Sequence, residues 1–397
     1  MHIKLVVNSF PSASETFLFN LVTGLERKGH RVSICAMSPS RHLDLYKNRL
    51  HEWKGEIEVL PFGLKGLEKK GAIAKSIISN LAPFVKQARA AGIKKGILST
   101  IKIAGLTKGN PDIIHFAYSG IGVTFLDVMP DILKTNIKLI TSCRGSAEKV
   151  KPVVDKHRAQ QLRDLFSYCH KVHCVSQDML NGLISYGLDT QKAFVNFPSI
   201  DLSYFNRTKP YDASNKKVWK LVTTGRLHFQ KGYVYCFNAL SILKKKGYKF
   251  QYTVLGEGPD KDMLMYLISE MNLKNEIILS GKVSSEKVKD ILLDSDVFVL
   301  SSLYEGIANA ALEAMALQIP LVSTISGGMA EVIESYENGI LVNRFSPVEI
   351  ADALAKLFES QELRQKISNN SRDVIEQKFN LENQINVFIK NYSDLIS

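Results

Sequence analysis

Ser301-Ser302-Leu303-Tyr304-Glu305-Gly306-Ile307-Ala308-Asn309-Ala310-Ala311-Leu312-Glu313-Ala314-Met315-Ala316 follows directly on an apolar run, Val297-Phe298-Val299-Leu300. An unbroken apolar run of strand length reads as a parallel strand covered on both faces. The loop after it holds an acid and a glycine, and a helix of small residues begins at once. The free amides of the first helical turn and the helix dipole therefore face whatever lies above the sheet. That is an anion site, and a phosphate is the expected occupant. Glu313, a turn or two into the helix, is placed to offer a carboxylate to ligand hydroxyls such as those of a ribose. Glu305 lies nearer the reacting end. A blander reading stays open, with Glu305 as a helix-stabilising charge and Glu313 as a solvated helix residue.

Working outward, the second half repeats strand, loop and helix. Strands are expected at 220–224, 250–255, 277–280, 297–300, 321–324 and 339–342, with helices at 233–245, 260–271, 285–293, 309–317, 329–333 and 347–359. The first of these strands runs into Gly225-Arg226-Leu227-His228-Phe229-Gln230-Lys231-Gly232, which carries Arg226 and Lys231 from a strand end. Two cations near a helix N-terminus make a diphosphate clamp able to neutralise a charged leaving group. The second strand ends in Leu255-Gly256-Glu257-Gly258-Pro259, whose G-x-G-x-x-G spacing fails at Lys261, removing the main support for a dinucleotide oxidoreductase. Ser280-Gly281-Lys282-Val283 ends a further strand and offers backbone groups to a base edge.

The first half alternates in the same way, with strands at 3–8, 31–36, 57–60, 113–116, 138–142 and 171–175. A chain of 397 residues suits about two domains of ~200 residues. The fold expected is α/β, two doubly wound Rossmann-like domains. The join falls near Pro198 to Lys217, where prolines and a polar run break both periodicities. The division is 1–197, a linker at 198–217, 218–380 and a last segment at 381–397, with ligands expected beyond the strand C-termini in a cleft between the domains.

The composition is 45% hydrophobic and 23% charged, which supports packed cores and excludes wholesale disorder. No apolar run approaches the ~20 residues that cross a bilayer, and the N-terminus lacks a cleavage site, so a cytoplasmic protein is expected. Cys35, Cys143, Cys169, Cys174 and Cys236 are scattered like reduced thiols. Cys169-His170 and His173-Cys174 have the look of metal spacing, but strand alternation splits the would-be ligands, and no metal is expected. His115, ending an apolar strand, reads as a satisfied core histidine.

A net charge of +12 suits nucleic acid, an anionic membrane or phosphate-bearing substrates. Residues 64–108 carry ten Lys or Arg against a single acid, Glu68, with Ile73, Ile77, Ile78, Leu81, Phe84 and Val85 interleaved. The stretch reads either as basic amphipathic helices lying on a membrane or as a solvated helix pair over a core. It lacks the aromatic platforms of a nucleic-acid binder apart from Phe84, so no nucleic acid is expected as partner.

Glu305 and Glu313 with seven residues between them, Gly225-Arg226-Leu227, Lys231-Gly232, Gly256-Glu257-Gly258-Pro259, Ser280-Gly281-Lys282-Val283 and Ser326-Gly327-Gly328 with Glu331 together resemble the retaining glycosyltransferases of family 4. The resemblance spans the whole second half and implies the GT-B fold. It implies that Arg226 and Lys231 bind the donor diphosphate, Glu313 the ribose and Glu305 the donor sugar. Backbone amides of Gly306, Ile307, Ala308 and Asn309 complete the donor site, with Gly256, Gly281 and Val283 beside it. It also implies that the last helix, near 382–397, packs back on the first domain.

In the first half, Phe10-Pro11-Ser12-Ala13-Ser14-Glu15-Thr16-Phe17 resembles a loop of the subgroup that builds bacterial exopolysaccharide, capsule and lipopolysaccharide. Its place beyond a strand end puts Ser14 and Glu15 over the cleft, although Ser14 equally suits an N-cap for a helix at 17–28. Thr141-Ser142-Cys143-Arg144-Gly145-Ser146 falls where many members carry a His-Gly pair that contacts the donor sugar, and here Arg144 stands for the histidine.

The expected partners are a nucleotide sugar, a glycan or lipid-linked acceptor and an anionic membrane surface at 64–108. No cofactor is expected, since Arg226, Lys231 and helix N-termini supply the positive field. A nucleotide-sugar epimerase of the same fold and a non-catalytic nucleotide-sugar-binding protein remain alternatives.

Overall fold

β1 (His2–Val7) is buried along its entire length and is an interior strand of the first of two parallel sheets. The structure is a computed structural model and describes residues 1–12, 15–40, 53 and 55–396. Continuous burial on both faces is what a Val/Ile/Leu run between covering helices produces. The other strands of this sheet are β2 (Arg31–Ala36), β3 (Ile57–Val59), β4 (Ile113–Phe116), β5 (Lys138–Cys143), β6 (Lys171–Cys174) and β7 (Ala193–Val195), in the order β3-β2-β1-β4-β5-β6-β7. Every pairing is parallel. The order reverses between β1 and β4, which opens a crevice at their carboxyl ends where such sheets bind ligands. β7 was not among the expected strands.

The second sheet has β8 (Trp219–Thr224), β9 (Phe250–Leu255), β10 (Ile277–Gly281), β11 (Val297–Leu300), β12 (Leu321–Thr324) and β13 (Ile340–Val342), ordered β10-β9-β8-β11-β12-β13. Its pairings are also parallel, and its reversal lies between β8 and β11. Both sheets are doubly wound, as the alternating pattern predicts. The helix Pro347–Glu359 starts on Ser346, whose hydroxyl accepts from the Glu349 amide, with proline at the first helical position. The helix Gln361–Lys378, which short-range periodicity did not mark, starts on Ser360 in the same way.

The chain forms two compact units, 1–175 with 179–196 and 381–397, and 176–178 with 197–380. The last helix, Leu381–Ile396, thus belongs to the first unit, where Ile385, Phe388 and Tyr392 are buried with Leu18, Leu21 and Leu25. Residues 198–217, the expected linker, are fastened to the second unit. Arg207 donates to the carbonyls of Leu317 and Leu293 at 2.8 and 3.2 Å, and the Tyr211 hydroxyl to that of Asp296 at 2.9 Å. Arg364, fully buried, donates to the Ala213 carbonyl and lies 4.7 Å over the Trp219 ring. A polar, proline-bearing segment looks like a tether in sequence, whereas long-range arginine contacts decide where it lies.

Candidate functional site

In the second unit the loops leaving β8, β9, β11 and β12 are laced together through their backbones. The Leu303 amide donates to the Gln230 carbonyl at 2.7 Å, Gly328 to Gly306 at 2.7 Å, and Gly256 to Gly281 at 2.9 Å. The Ser301 hydroxyl reaches the Lys231 carbonyl at 2.8 Å, and that of Thr324 the Ser302 carbonyl at 2.5 Å. Two glycines make such approaches possible. A Cβ at Gly256 (φ +147) would lie 2.0 Å from the Gly225 carbonyl oxygen, and one at Gly327 (φ +58) 1.9 Å from that of Glu305.

Glu305 sits on this bed, 8% exposed. One carboxylate oxygen takes both the Lys231 ammonium at 2.6 Å and the Ser302 hydroxyl at 2.7 Å. Glu305 is therefore no simple helix-start charge, and Lys231 is an internal counter-ion before any ligand arrives. The next three residues, Gly306, Ile307 and Ala308, are buried. Among the described residues the amides of Gly306 and Ile307 meet no acceptor, and that of Ala308 meets only the Met329 sulfur at 3.4 Å. Buried amides without partners are rare, and a run of them marks where a ligand brings its own acceptor oxygens. Asn309 opens the helix Asn309–Ala316, whose first two amides continue the same free row.

Glu313 projects from that helix. It is only partly enclosed at its surface, yet burial pushes its carboxyl up to about 7, and no side-chain hydrogen bond holds it among the described residues. It is not a freely solvated helix residue. Arg226 is exposed and makes no ion pair among the described residues. Gly281 is a different case, since its carbonyl is already taken by the Gly256 amide across a bulge in β10. Val283 packs with the apolar cluster of β11 and its following helix. Ser302 and Gly327, which hold Glu305 from either side, stand in the quoted motifs without a role of their own, because a side-chain rotamer and a contact between two loops leave no mark in the sequence.

In the first unit, Glu15, Tyr118 and Arg144 meet beyond the carboxyl ends of β1, β4 and β5. The Tyr118 hydroxyl donates to Glu15 at 2.8 Å, and burial raises the Glu15 carboxyl above its usual range. The Arg144 guanidinium lies 4.4 Å over the Phe17 ring, with Nε donating to the Ala117 carbonyl at 3.2 Å. Its backbone is held from beneath by Glu148, which is 3% exposed and accepts from the amides of Arg144 and Gly145 at 3.3 and 2.9 Å. Ser14 lies outside the described residues. The helix expected at 17–28 spans Thr16–Arg27, with Glu15 at its N-cap position and no side-chain cap.

Below this group runs a buried chain of neutral donors. His173 Nε2 donates to the Asn196 carbonyl at 2.8 Å, so its Nδ1 accepts from the Ser142 hydroxyl at 2.8 Å. Ser142 in turn accepts from His115 Nε2 at 2.8 Å, whose Nδ1 takes the Tyr392 hydroxyl at 2.7 Å. Burial pulls His115 down to about 3, and His173 well below its usual value. His115 is the satisfied core histidine that its position suggests. His170 Nδ1 accepts the Leu139 amide at 3.0 Å, so the two histidines of the apparent metal spacing are engaged on separate partners.

Two doubly wound parallel units are the architecture of the GT-B glycosyltransferases. Anabaena HepE, solved in complex with UDP and glucose, superimposes with a TM-score of 0.76 at 17% identity over 99% of this chain and 100% of that one. A glycosyltransferase from Rickettsia africae matches with a TM-score of 0.73 at 18% identity, over 100% and 99%. The family model "Glycosyltransferase Family 4" matches residues 14–204, and "Glycosyl transferases group 1" matches 206–374. The chain belongs to glycosyltransferase family 4 and is a retaining glycosyltransferase. It is 27% identical over 406 residues to the putative colanic acid biosynthesis glycosyltransferase WcaL of Escherichia coli, covering 96% of each. It is likewise 27% identical over 399 residues to the amylovoran biosynthesis glycosyltransferase AmsK of Erwinia amylovora, again 96% of each.

Proposed function

We propose that this enzyme moves a hexose from a nucleotide-diphosphate sugar to a glycan or lipid-linked acceptor during the building of a bacterial surface polysaccharide. The observation that carries the donor reading is the row of buried, unpartnered amides at Gly306 and Ile307 beside the Lys231–Glu305 pair. Those amides, the Asn309 helix start and Arg226 receive the diphosphate, and Lys231 swings its charge between Glu305 and the leaving phosphate. Glu305 then holds the donor sugar, Glu313 the ribose, and the backbone near Gly256, Gly281 and Val283 the base. No metal is needed where a lysine, an arginine and a helix start already supply positive charge. The acceptor approaches the same face of the sugar, and the departing phosphate takes its proton. Ser14 and Glu15 serve the acceptor side, and Arg144, at the position that the resemblance gives to a donor-sugar contact, stands where the sugar and its acceptor meet.

WcaL and AmsK, named for two exopolysaccharides, support the polysaccharide reading, and the UDP in HepE makes UDP-sugars the first donors to try. A panel of UDP-, GDP- and ADP-sugars scored for nucleotide release tests it. Release from one donor, lost in Glu305→Ala and Arg226→Ala, is expected. Release that both variants retain, or epimerised donor with no transfer, overturns it.

No helix among the described residues is long and apolar enough to cross a membrane. We propose contact with the inner face of the plasma membrane through the helices Gly66–Ser79, Leu81–Ala91 and Ile93–Thr107. Ile78, Leu81 and Ile93 are 76%, 61% and 69% exposed among the exposed Lys75, Lys94 and Lys95. Lys102 has no part in this surface: it is buried and pairs with Asp127 at 2.7 Å. Changing Lys94 and Lys95 to Gln and Ile78 and Ile93 to Ser is expected to abolish sedimentation with anionic liposomes, and undiminished sedimentation refutes the contact.

A further inference from the structure

Arg144 stands where an open parallel sheet offers its ligand crevice, beyond the carboxyl ends of the strands on either side of the β1/β4 reversal. Three contacts fix its guanidinium. The Phe17 ring lies beneath it at 4.4 Å, Nε is tied to the Ala117 carbonyl at 3.2 Å, and Glu148 pins the backbone at Arg144 and Gly145. None of these consumes the two terminal amino groups. Among the described residues Nη1 and Nη2 find no acceptor, and no carboxylate lies within ion-pair distance. The nearest acid, Glu15, is turned onto the Tyr118 hydroxyl at 2.8 Å instead. Glu148 is occupied by Ser119 and the two amides.

The arrangement differs from that of a structural arginine such as Arg364, whose three guanidinium nitrogens all donate to carbonyl or amide oxygens of the protein. Arg144 is half-buried, stacked and oriented, with its fork left open. A planar fork held in advance matches a carboxylate or phosphate bidentately and loses little entropy on binding. A neutral sugar hydroxyl does not need it.

We propose that the first unit carries an oxyanion site at Arg144, and that the acceptor bears a phosphate or carboxylate which this fork reads. The inference rests on the first unit being the acceptor side. The same fork suits two sources, a phosphate ester linking the acceptor to its carrier or the carboxylate of an acidic sugar within the glycan.

Titration of the whole enzyme, saturated with UDP, with phenyl phosphate and separately with methyl glucuronide, followed by NMR, distinguishes the sources. The uncharged phenol and methyl glucoside are the controls. One of the two anions is expected to bind, and Arg144→Gln to weaken it by roughly 10- to 100-fold, the loss of a charge-assisted pair of hydrogen bonds. Arg144→Lys, which keeps the charge and loses the fork, falls between. Phe17→Leu, which keeps the arginine and removes its platform, weakens binding severalfold, and it serves if Arg144→Gln does not fold. UDP affinity stays unchanged in all three. Binding of neither anion, equal binding of the uncharged partner, or full affinity in Arg144→Gln overturns the oxyanion site. Loss of UDP binding by Arg226→Ala is measured alongside and tests the donor reading independently.

Discussion

Glu305 and Lys231 are 74 residues apart in sequence and 2.6 Å apart in space. Composition and spacing singled out both, yet they do not show that the two neutralise each other before a donor arrives. That pairing makes Lys231→Ala a stability variant as well as a kinetic one, since it leaves a buried carboxylate alone. It is expected to lower unfolding free energy by about 3 kcal/mol in urea titration, with most recovered in Lys231→Arg. Glu305→Gln keeps the Ser302 contact and is expected to cut donor turnover by ~100-fold, measured as nucleotide release, the size typical of one lost electrostatic contact at a reacting centre. Glu313 titrates near neutrality, raised to about 7 by burial. Between its ordinary value and about 7 the folded protein keeps a proton that the unfolded chain has released, so stability falls as pH rises through that window. Glu313→Gln removes this term. It is expected to match wild type near pH 4.5 and to exceed it by on the order of 2 kcal/mol at pH 8, a figure reduced for the partial exposure of the group.

The strand ends are the elements that carry the site, and most of them were legible. Apolar runs ending in Gly, Ser or an acid announced β8, β9, β10 and β11, because a parallel strand buried on both faces leaves a continuous hydrophobic signature. The lacing of the loops was not legible, because backbone-to-backbone contact leaves no mark beyond a glycine whose neighbour is unknown. Gly327 is such a case. Gly327→Ala is expected to push the Glu305 loop away, since its Cβ would lie 1.9 Å from the Glu305 oxygen at a left-handed φ. The strain, about 1–3 kcal/mol, should appear as a lower thermal midpoint together with at least a tenfold loss of UDP affinity by calorimetry. A variant that binds UDP normally would show that the brace has no bearing on the donor cradle.

In the molecule as a whole, the last helix, Leu381–Ile396, completes the core of a unit whose other residues end at Asn196. Phe388 lies 4.9 Å from the His173 ring and 5.8 Å from that of Tyr392, whose hydroxyl heads the chain through His115, Ser142 and His173 to Asn196. Each imidazole there has one donor and one acceptor used, so a second proton has no acceptor to meet. With both histidines depressed by burial, the unfolded chain binds protons that the folded one refuses. The first unit is therefore fully stable above about pH 6.5 and is expected to lose stability, by several kcal/mol, as pH falls toward 3. His115→Gln, whose amide can accept from Tyr392 and donate to Ser142, should flatten that dependence in acid titrations followed by circular dichroism. A wild-type profile flat between pH 6.5 and 4 would remove the role assigned to the chain.

The alternation of apolar runs with crossover helices suffices to specify two doubly wound sheets, because period and burial are local properties that a linear chain displays. The family motifs, likewise, are short enough to be read in place. Tertiary packing alone settles that Lys231 faces Glu305, that Arg364 fastens 198–217 to the second unit, and that Arg144 keeps an open fork. Each depends on which distant groups surround a side chain, and charge, burial and hydrogen-bond satisfaction are properties of those surroundings rather than of the residue.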